Sequence, residues 1–236
     1  MSLLAVRDLN AWYGLSHVVQ GITLELAAGE VVAVLGRNGA GKTTLLRAIM
    51  GLVAKRTGEV TFAGTAVGPL PTHVRYHLGL AYVPEDRRIV QGLTVRENLR
   101  LGMIGSRTRI DERAAIDAIA ATFPRLAQRL NQEAVTMSGG EQQMLAIARA
   151  LVAKPKAILL DEPSEGIMPV LIDEMYALFA RLKAEGVGLL LVEQDVDRAL
   201  ELADRAYVID HGLVAYTGSA AAMRADPAVQ ERYCSV

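Results

Sequence analysis

Aromatic residues make up only 5% of the 236-residue chain. A core poor in rings must be filled by aliphatic side chains, the composition of α/β proteins with parallel sheets. There is one cysteine, Cys234. A single thiol excludes a disulfide framework and fits a reducing compartment, and Cys234 reads as a tail residue without a role. No apolar run approaches the roughly 18 residues of a membrane span. Arg7 and Asp8 interrupt the first apolar stretch, which argues against a signal peptide. The chain is therefore expected to be soluble and to reach a membrane only through a partner. Neither sign of charge dominates: the formal net charge is -1. Nucleic-acid binding is not expected, and Arg96, Arg100, Arg107 and Arg109 read as a solvated face. Internal repeats and low-complexity segments are also lacking.

What is abundant is aliphatic residues: 51% of the chain is hydrophobic. That suits one large domain, or one domain with a smaller lobe. The most informative stretch is Gly36-Arg37-Asn38-Gly39-Ala40-Gly41-Lys42-Thr43. It matches G-x-x-x-x-G-K-[ST], the phosphate-binding loop pattern. An apolar run, residues 31–35, precedes it, and a helical pattern from Thr44 follows. Glycines let the backbone curl so that successive N–H groups point at phosphate oxygens. The helix N-terminus adds unpaired donors. Lys42 supplies a charge for the β- and γ-phosphates, and the Thr43 hydroxyl is a Mg²⁺ ligand in such loops.

The rest reads as strands alternating with helices, hence a mostly parallel sheet covered on both faces. Residues 3–9 read as an edge strand, broken at 10–14, and residues 22–26 as a second strand. Tyr13 is either an adenine-stacking ring or a surface turn aromatic. Thr94-Val95-Arg96-Glu97 is a capping box that opens a helix. Residues 93–131 carry no strand signal and read as a helical lobe inserted into the α/β core. His73 and His77, one helical turn apart, read as a solvated pair rather than metal ligands. The last twenty residues look weakly helical, with a break at Asp226-Pro227.

Residues 157–160 are an apolar strand ending in Asp161-Glu162. Ligands gather at the carboxyl ends of parallel strands. Asp161 can hold Mg²⁺ opposite Thr43, and Glu162 can orient or deprotonate a water for attack on the γ-phosphate. A third motif, Met137-Ser138-Gly139-Gly140-Glu141-Gln142-Gln143, opens a helix running to about Ala153. Ser138 and Glu141 make a capping box, but capping does not require paired glycines.

Here the chain resembles the ATP-binding subunits of ABC transporters, whose signature is Leu-Ser-Gly-Gly-Gln/Glu. The resemblance spans essentially all of residues 1–236. It implies a phosphate-loop ATPase core, an N-terminal antiparallel β subdomain and a helical lobe at about 93–153 that includes the signature helix. It implies ATP and Mg²⁺ as cofactors, with Arg37, Asn38, Gly39, Ala40, Gly41, Lys42, Thr43 and Thr44 on the phosphates. Tyr13 would then stack on adenine. Asp161 would help to hold Mg²⁺, and Glu162 would be the catalytic carboxylate. Ser138, Gly139 and Gly140 would close on ATP held by a second chain, with Ser164-Glu165-Gly166 as the dimer-contact loop.

Two positions depart from the family pattern. Glu85 stands where a glutamine usually contacts Mg²⁺ and the attacking water. Gln194 stands where a histidine usually contacts the γ-phosphate, and it cannot carry charge. With Arg87-Arg88 and Val192-Glu193-Gln194, these departures look like the shorter ATPase subunit of branched-chain amino acid importers. Related urea and short-amide importers look similar, and a non-transport ABC-type switch is a further class. Implied partners are a second ATP-binding subunit, membrane permease subunits and, indirectly, a substrate-binding protein. The implied location is the cytoplasmic face of the membrane.

Overall fold

Alternation of apolar residues builds one sheet, and continuous apolar runs build another. The computed structural model describes residues 2–104 and 110–226. Arg107, Arg109, Pro227 and Cys234 lie outside them. The chain begins with β1 (Ser2–Tyr13), β2 (Ser16–Ala27) and β3 (Val31–Leu35), then α1 (Lys42–Ile49). It continues through β4 (Lys55–Phe62), β5 (Thr65–Ala66), α2 (Thr72–His77) and β6 (Leu80–Val83). Four helices follow: α3 (Val95–Ile104), α4 (Glu112–Thr122), α5 (Pro124–Ala127) and α6 (Gly139–Leu151). The last part is β7 (Ala157–Asp161), α7 (Pro169–Ala184), β8 (Gly188–Val192), α8 (Val196–Leu202), β9 (Arg205–Asp210), β10 (Leu213–Ser219) and α9 (Ala220–Arg224).

The six-stranded sheet has the order β10-β9-β3-β8-β7-β6 and is parallel except at β10. Every residue of β3, β7 and β8 is buried. A strand covered on both faces needs no polar side, so its sequence reads as an apolar run. Val31, Ala33 and Leu35 face one core, shared with the helices of the 95–151 region and with α7. Val32 and Val34 face another, shared with α1, β1 and β2.

The four-stranded antiparallel sheet has the order β2-β1-β4-β5. This corrects the expectation for residues 3–9. β1 is a central strand, paired with both β2 and β4, and it runs unbroken to Tyr13. The pairing register shifts around Asp8, whose φ is 46°. Such a bulge flips the inward-facing set and erases the period-two pattern. Gly58 lies against it; a Cβ there would sit 2.3 Å from the Asp8 carbonyl oxygen.

Helices α3 to α6 lie between β6 and β7, with no strand among the described residues there. Both capping boxes form. Thr94 N–H donates to Glu97 at 2.8 Å and Ser138 N–H donates to Glu141 at 3.0 Å. Met137, the departure from the signature's first Leu, is 5% exposed and fills the same apolar core. Leu-to-Met exchanges keep volume and are tolerated. Among the described residues, no helix is long and apolar enough to cross a membrane.

Candidate nucleotide site

Four parallel strands end on one edge of the large sheet, and each delivers a polar residue there. β3 leads into the glycine loop. Gly36 and Gly41 have φ of 141° and 108°, values that L side chains rarely adopt. A Cβ on Gly36 would sit 2.1 Å from the Ile209 carbonyl oxygen, so the loop is pressed against β9. Arg37, Asn38 and Gly39 are exposed, Ala40 and Thr44 buried. Lys42 is 4% exposed, and its ammonium donates to the Gly36 and Arg37 carbonyls at 2.8 and 3.2 Å. Its third neighbour is Glu162 Oε1, at 3.6 Å.

β7 ends in Asp161, fully buried. Thr43 Oγ1 donates to Asp161 Oδ1 at 2.9 Å, and Tyr82, on β6, donates to Oδ2 at 2.8 Å. Burial pushes the Asp161 carboxyl up, although both hydroxyls favour its charged form. Burial and Asp161 push the Tyr82 phenol up as well. Arg47, on α1, faces the phenols of Tyr82 and Tyr13; burial lowers its basicity and the phenols more than offset it. Tyr13 itself is 48% exposed at the end of β1.

Glu162 follows Asp161 with φ of 47°, a left-handed backbone at a non-glycine residue. Such strain is concentrated at functional sites. Its N–H donates to the Val192 carbonyl at 3.0 Å, which ties it to the end of β8. Gln194, just beyond β8, donates its amide to Glu162 Oε2 at 2.5 Å. Glu162 is thus held between Lys42 and Gln194.

Glu85 and Glu165 complete the cluster. With Glu162 they place carboxylate oxygens within 4.8 Å of one another. A shared hydrogen bond with Glu162, then burial, push the Glu165 carboxyl up. Burial, Glu162 and Asp161 push Glu85 up. Crowded carboxylates favour a proton or a cation. Thr43 and Asp161, joined by their hydrogen bond, and Glu85, whose carboxyl feels both Asp161 and Glu162, offer the oxygen donors that a hard ion such as Mg²⁺ requires. His73 and His77 meet edge-on with ring centres 5.9 Å apart and belong to no such cluster among the described residues.

Ser138 stands exposed at the start of α6, away from its own chain's glycine loop in sequence and in contacts. The glycines beside it have reasons within one chain. A Cβ on Gly139 would sit 2.9 Å from Arg87 Nη1, and one on Gly140 would sit 2.4 Å from Leu171 Cδ1. The segment after β6 is tied to α6 further along too. Arg149 donates to the Arg88 and Arg87 carbonyls at 2.7 and 2.9 Å. Arg87 and Arg88 are both left-handed, with φ of 57° and 47°. Buried Asn98, on α3, anchors the far end by accepting from Val90 N–H at 3.0 Å. Sequence reasoning overlooked Arg149, Asn98 and the part of Glu165 in the carboxylate cluster. None carries a local motif; only the tertiary arrangement brings them to the site.

A glycine loop with buried lysine after β3, facing an aspartate and a glutamate at the end of β7 in the same sheet, defines a phosphate-loop ATPase. Comparison with known proteins is specific beyond that class. Residues 19–165 match the ABC transporter family. The chain is 40% identical over 231 residues to the high-affinity branched-chain amino acid transport ATP-binding protein BraG of Pseudomonas aeruginosa, covering 98% of this chain and 99% of that one. It is 38% identical to the probable branched-chain amino acid transport ATP-binding protein LivF of Archaeoglobus fulgidus, covering 92% of each. The lipopolysaccharide export system ATP-binding protein LptB of Haemophilus influenzae is 34% identical, with 99% and 97% covered. A solved ATP-binding subunit of an ABC transporter superposes with a TM-score of 0.85 at 29% identity, covering 95% of this chain and 92% of that one. The chain belongs to the ABC transporter family and is one of its ATP-hydrolysing subunits.

Proposed function

We propose that this chain hydrolyses ATP to drive a membrane importer for branched-chain or other hydrophobic amino acids. One observation carries the ATPase part: Lys42, Thr43, Asp161, Glu162 and Gln194 converge on one sheet edge through direct contacts. The cargo rests on likeness to BraG and LivF over nearly the full length of each. LptB is less similar, so export of a lipid is the weaker reading.

In this reading residues 1–236 act as one ATPase unit, with about 93–153 as its helical lobe. The loop N–H groups and Lys42 hold the phosphates, exchanging Lys42's carbonyl and Glu162 partners for phosphate oxygens. Tyr13 stacks on adenine. Thr43, Asp161 and Glu85 hold Mg²⁺, which neutralises charge on the phosphates. Glu162, freed from Lys42, orients the attacking water and takes its proton. Gln194 donates a neutral hydrogen bond toward the γ-phosphate or the water. Ser138 of a second subunit closes the site, supported by its exposed place at the N-terminus of α6.

A permease segment would dock beside the residues after β6. A surface hollow of about 330 Å³ lies there, lined by Tyr76, Tyr82, Arg88, Leu101, Ala146 and Arg149 among others. The working place is then the cytoplasmic face of the membrane. The deciding experiment uses Glu162→Gln. It should keep ATP affinity, lose turnover by about 10²-fold or more and accumulate an ATP-bound dimer on size exclusion. Full turnover in that variant removes Glu162 from its role. A strictly monomeric ATP complex removes Ser138 from the site.

A further inference from the structure

We infer that Glu193 is a positioning residue for ATP hydrolysis: its buried carboxylate locks the turn after β7 to the turn after β8 and so sets Glu162 against Gln194. This rests on the ATPase reading above.

Glu193 is the residue immediately after β8 and is 2% exposed. It touches neither phosphate loop nor carboxylate cluster, yet it bonds to both flanking turns. Ser164 N–H donates to Oε1 at 3.2 Å, and Ser164 Oγ donates to Oε2 at 2.8 Å. Gln194 N–H donates to Oε2 at 3.3 Å. Ser164 lies two residues beyond Glu162 and immediately before Glu165. Gln194 carries the amide that holds Glu162. With the Glu162 N–H bond to the Val192 carbonyl, these contacts close a ring around the two residues that face the reacting water.

A buried carboxylate without an ion-pair partner is costly. Among the described residues Glu193 forms no salt bridge; its partners are one hydroxyl and two backbone N–H groups. An apolar residue would extend the buried strand at less cost, so the carboxylate's value lies in the three bonds it accepts. The titratable groups around it are Glu162 from the β7 turn and Tyr176 from α7, which in turn feels Asp195 and Arg198 at the start of α8. Burial, aided by the charge of Glu162, pushes the Glu193 carboxyl up to about 7. Protonation removes the negative charge and turns one oxygen into a hydroxyl, a weaker acceptor for the N–H that faces it. The ring therefore loosens as pH falls through neutrality.

The test compares wild type, Glu193→Gln, Glu193→Asp and Ser164→Ala in steady-state ATPase assays from pH 6 to 9. Nucleotide affinity is measured by calorimetry. At pH 8, Glu193→Gln should lower kcat about tenfold or more, because small displacements of catalytic groups are costly. KM for ATP and nucleotide affinity should stay within about twofold, since the phosphate loop is untouched. The acid limb of the kcat profile near pH 7 should disappear in Glu193→Gln and persist in Glu193→Asp. Ser164→Ala removes a single bond and should give an intermediate kcat, which keeps the inference testable if a Glu193 variant fails to fold. Wild-type kcat and pH profile in folded Glu193→Gln, or in Ser164→Ala where the former does not fold, overturns the inference alone. Absence of ATPase activity in the wild type overturns the reading beneath it and this inference together.

Discussion

Lys42 and Glu162 are ion-paired at 3.6 Å, with side chains 4% and 9% exposed. The residue read as gripping phosphate and the residue read as activating water are therefore each other's counter-ions. Lys42→Ala removes the phosphate charge and leaves Glu162 without its cation. ATP affinity should fall at least about tenfold, and the apparent melting temperature should drop, because an orphaned buried charge is destabilising. Calorimetric titration with ATP checks the first outcome and thermal unfolding the second. Unchanged ATP affinity would count against the loop assignment.

Gln194 holds Glu162 through a neutral amide. Gln194→His places an imidazole there whose charge changes between about pH 5 and 8. Turnover should be retained or raised, and its pH profile should gain a component near neutrality. ATPase rates from pH 6 to 9 decide this. Loss of folding in the variant would show that position 194 serves packing.

Arg75 shows no solvent exposure, and its guanidinium donates to the carbonyls of Leu70, Gly68 and Ile49. Burial lowers its pKa to about 10. Arg75→Met fills similar space but takes the guanidinium from the Leu70 and Ile49 carbonyls, at roughly 1–3 kcal/mol for each group left unsatisfied, while Gly68 keeps its bond from Arg56. Urea unfolding should show a lower midpoint, with ATP affinity of the folded protein unchanged. A midpoint equal to wild type would mean water replaces the guanidinium.

Glu193 also predicts a pH dependence of stability. Its folded pKa of about 7 lies above the ordinary value of 4.5. Between those values the folded state holds a proton that the unfolded state has released. This group's contribution is therefore greatest at low pH and is lost as pH rises through 7. Denaturant midpoints from pH 5 to 8 should fall less steeply in Glu193→Gln than in wild type. Parallel curves would place the carboxyl's pKa near its ordinary value.

Much of this architecture is legible in the sequence because its signals are local. The loop from Gly36 to Thr43, the apolar run into Asp161 and the capping boxes at Thr94 and Ser138 each fit within one turn or strand. What escaped reading depends on distant neighbours. β1 looked like a short edge strand because the bulge at Asp8 breaks its alternation. Arg75 and Glu193 carry charges whose burial no periodicity announces. The paired glycines at 139 and 140 suggested an anion site alone. The structure adds a steric reason, the close approach of Arg87 and Leu171.

The bonds from Arg149 to the Arg87 and Arg88 carbonyls have a mechanical meaning. α6 has 13 residues, a stiff rod of about 20 Å with Ser138 at one tip and Arg149 near the other. Force applied to the backbone at Arg87 and Arg88 enters that rod directly. The two bonds thus join the outer surface at Arg87 and Arg88 to the helix whose first turn carries the serine.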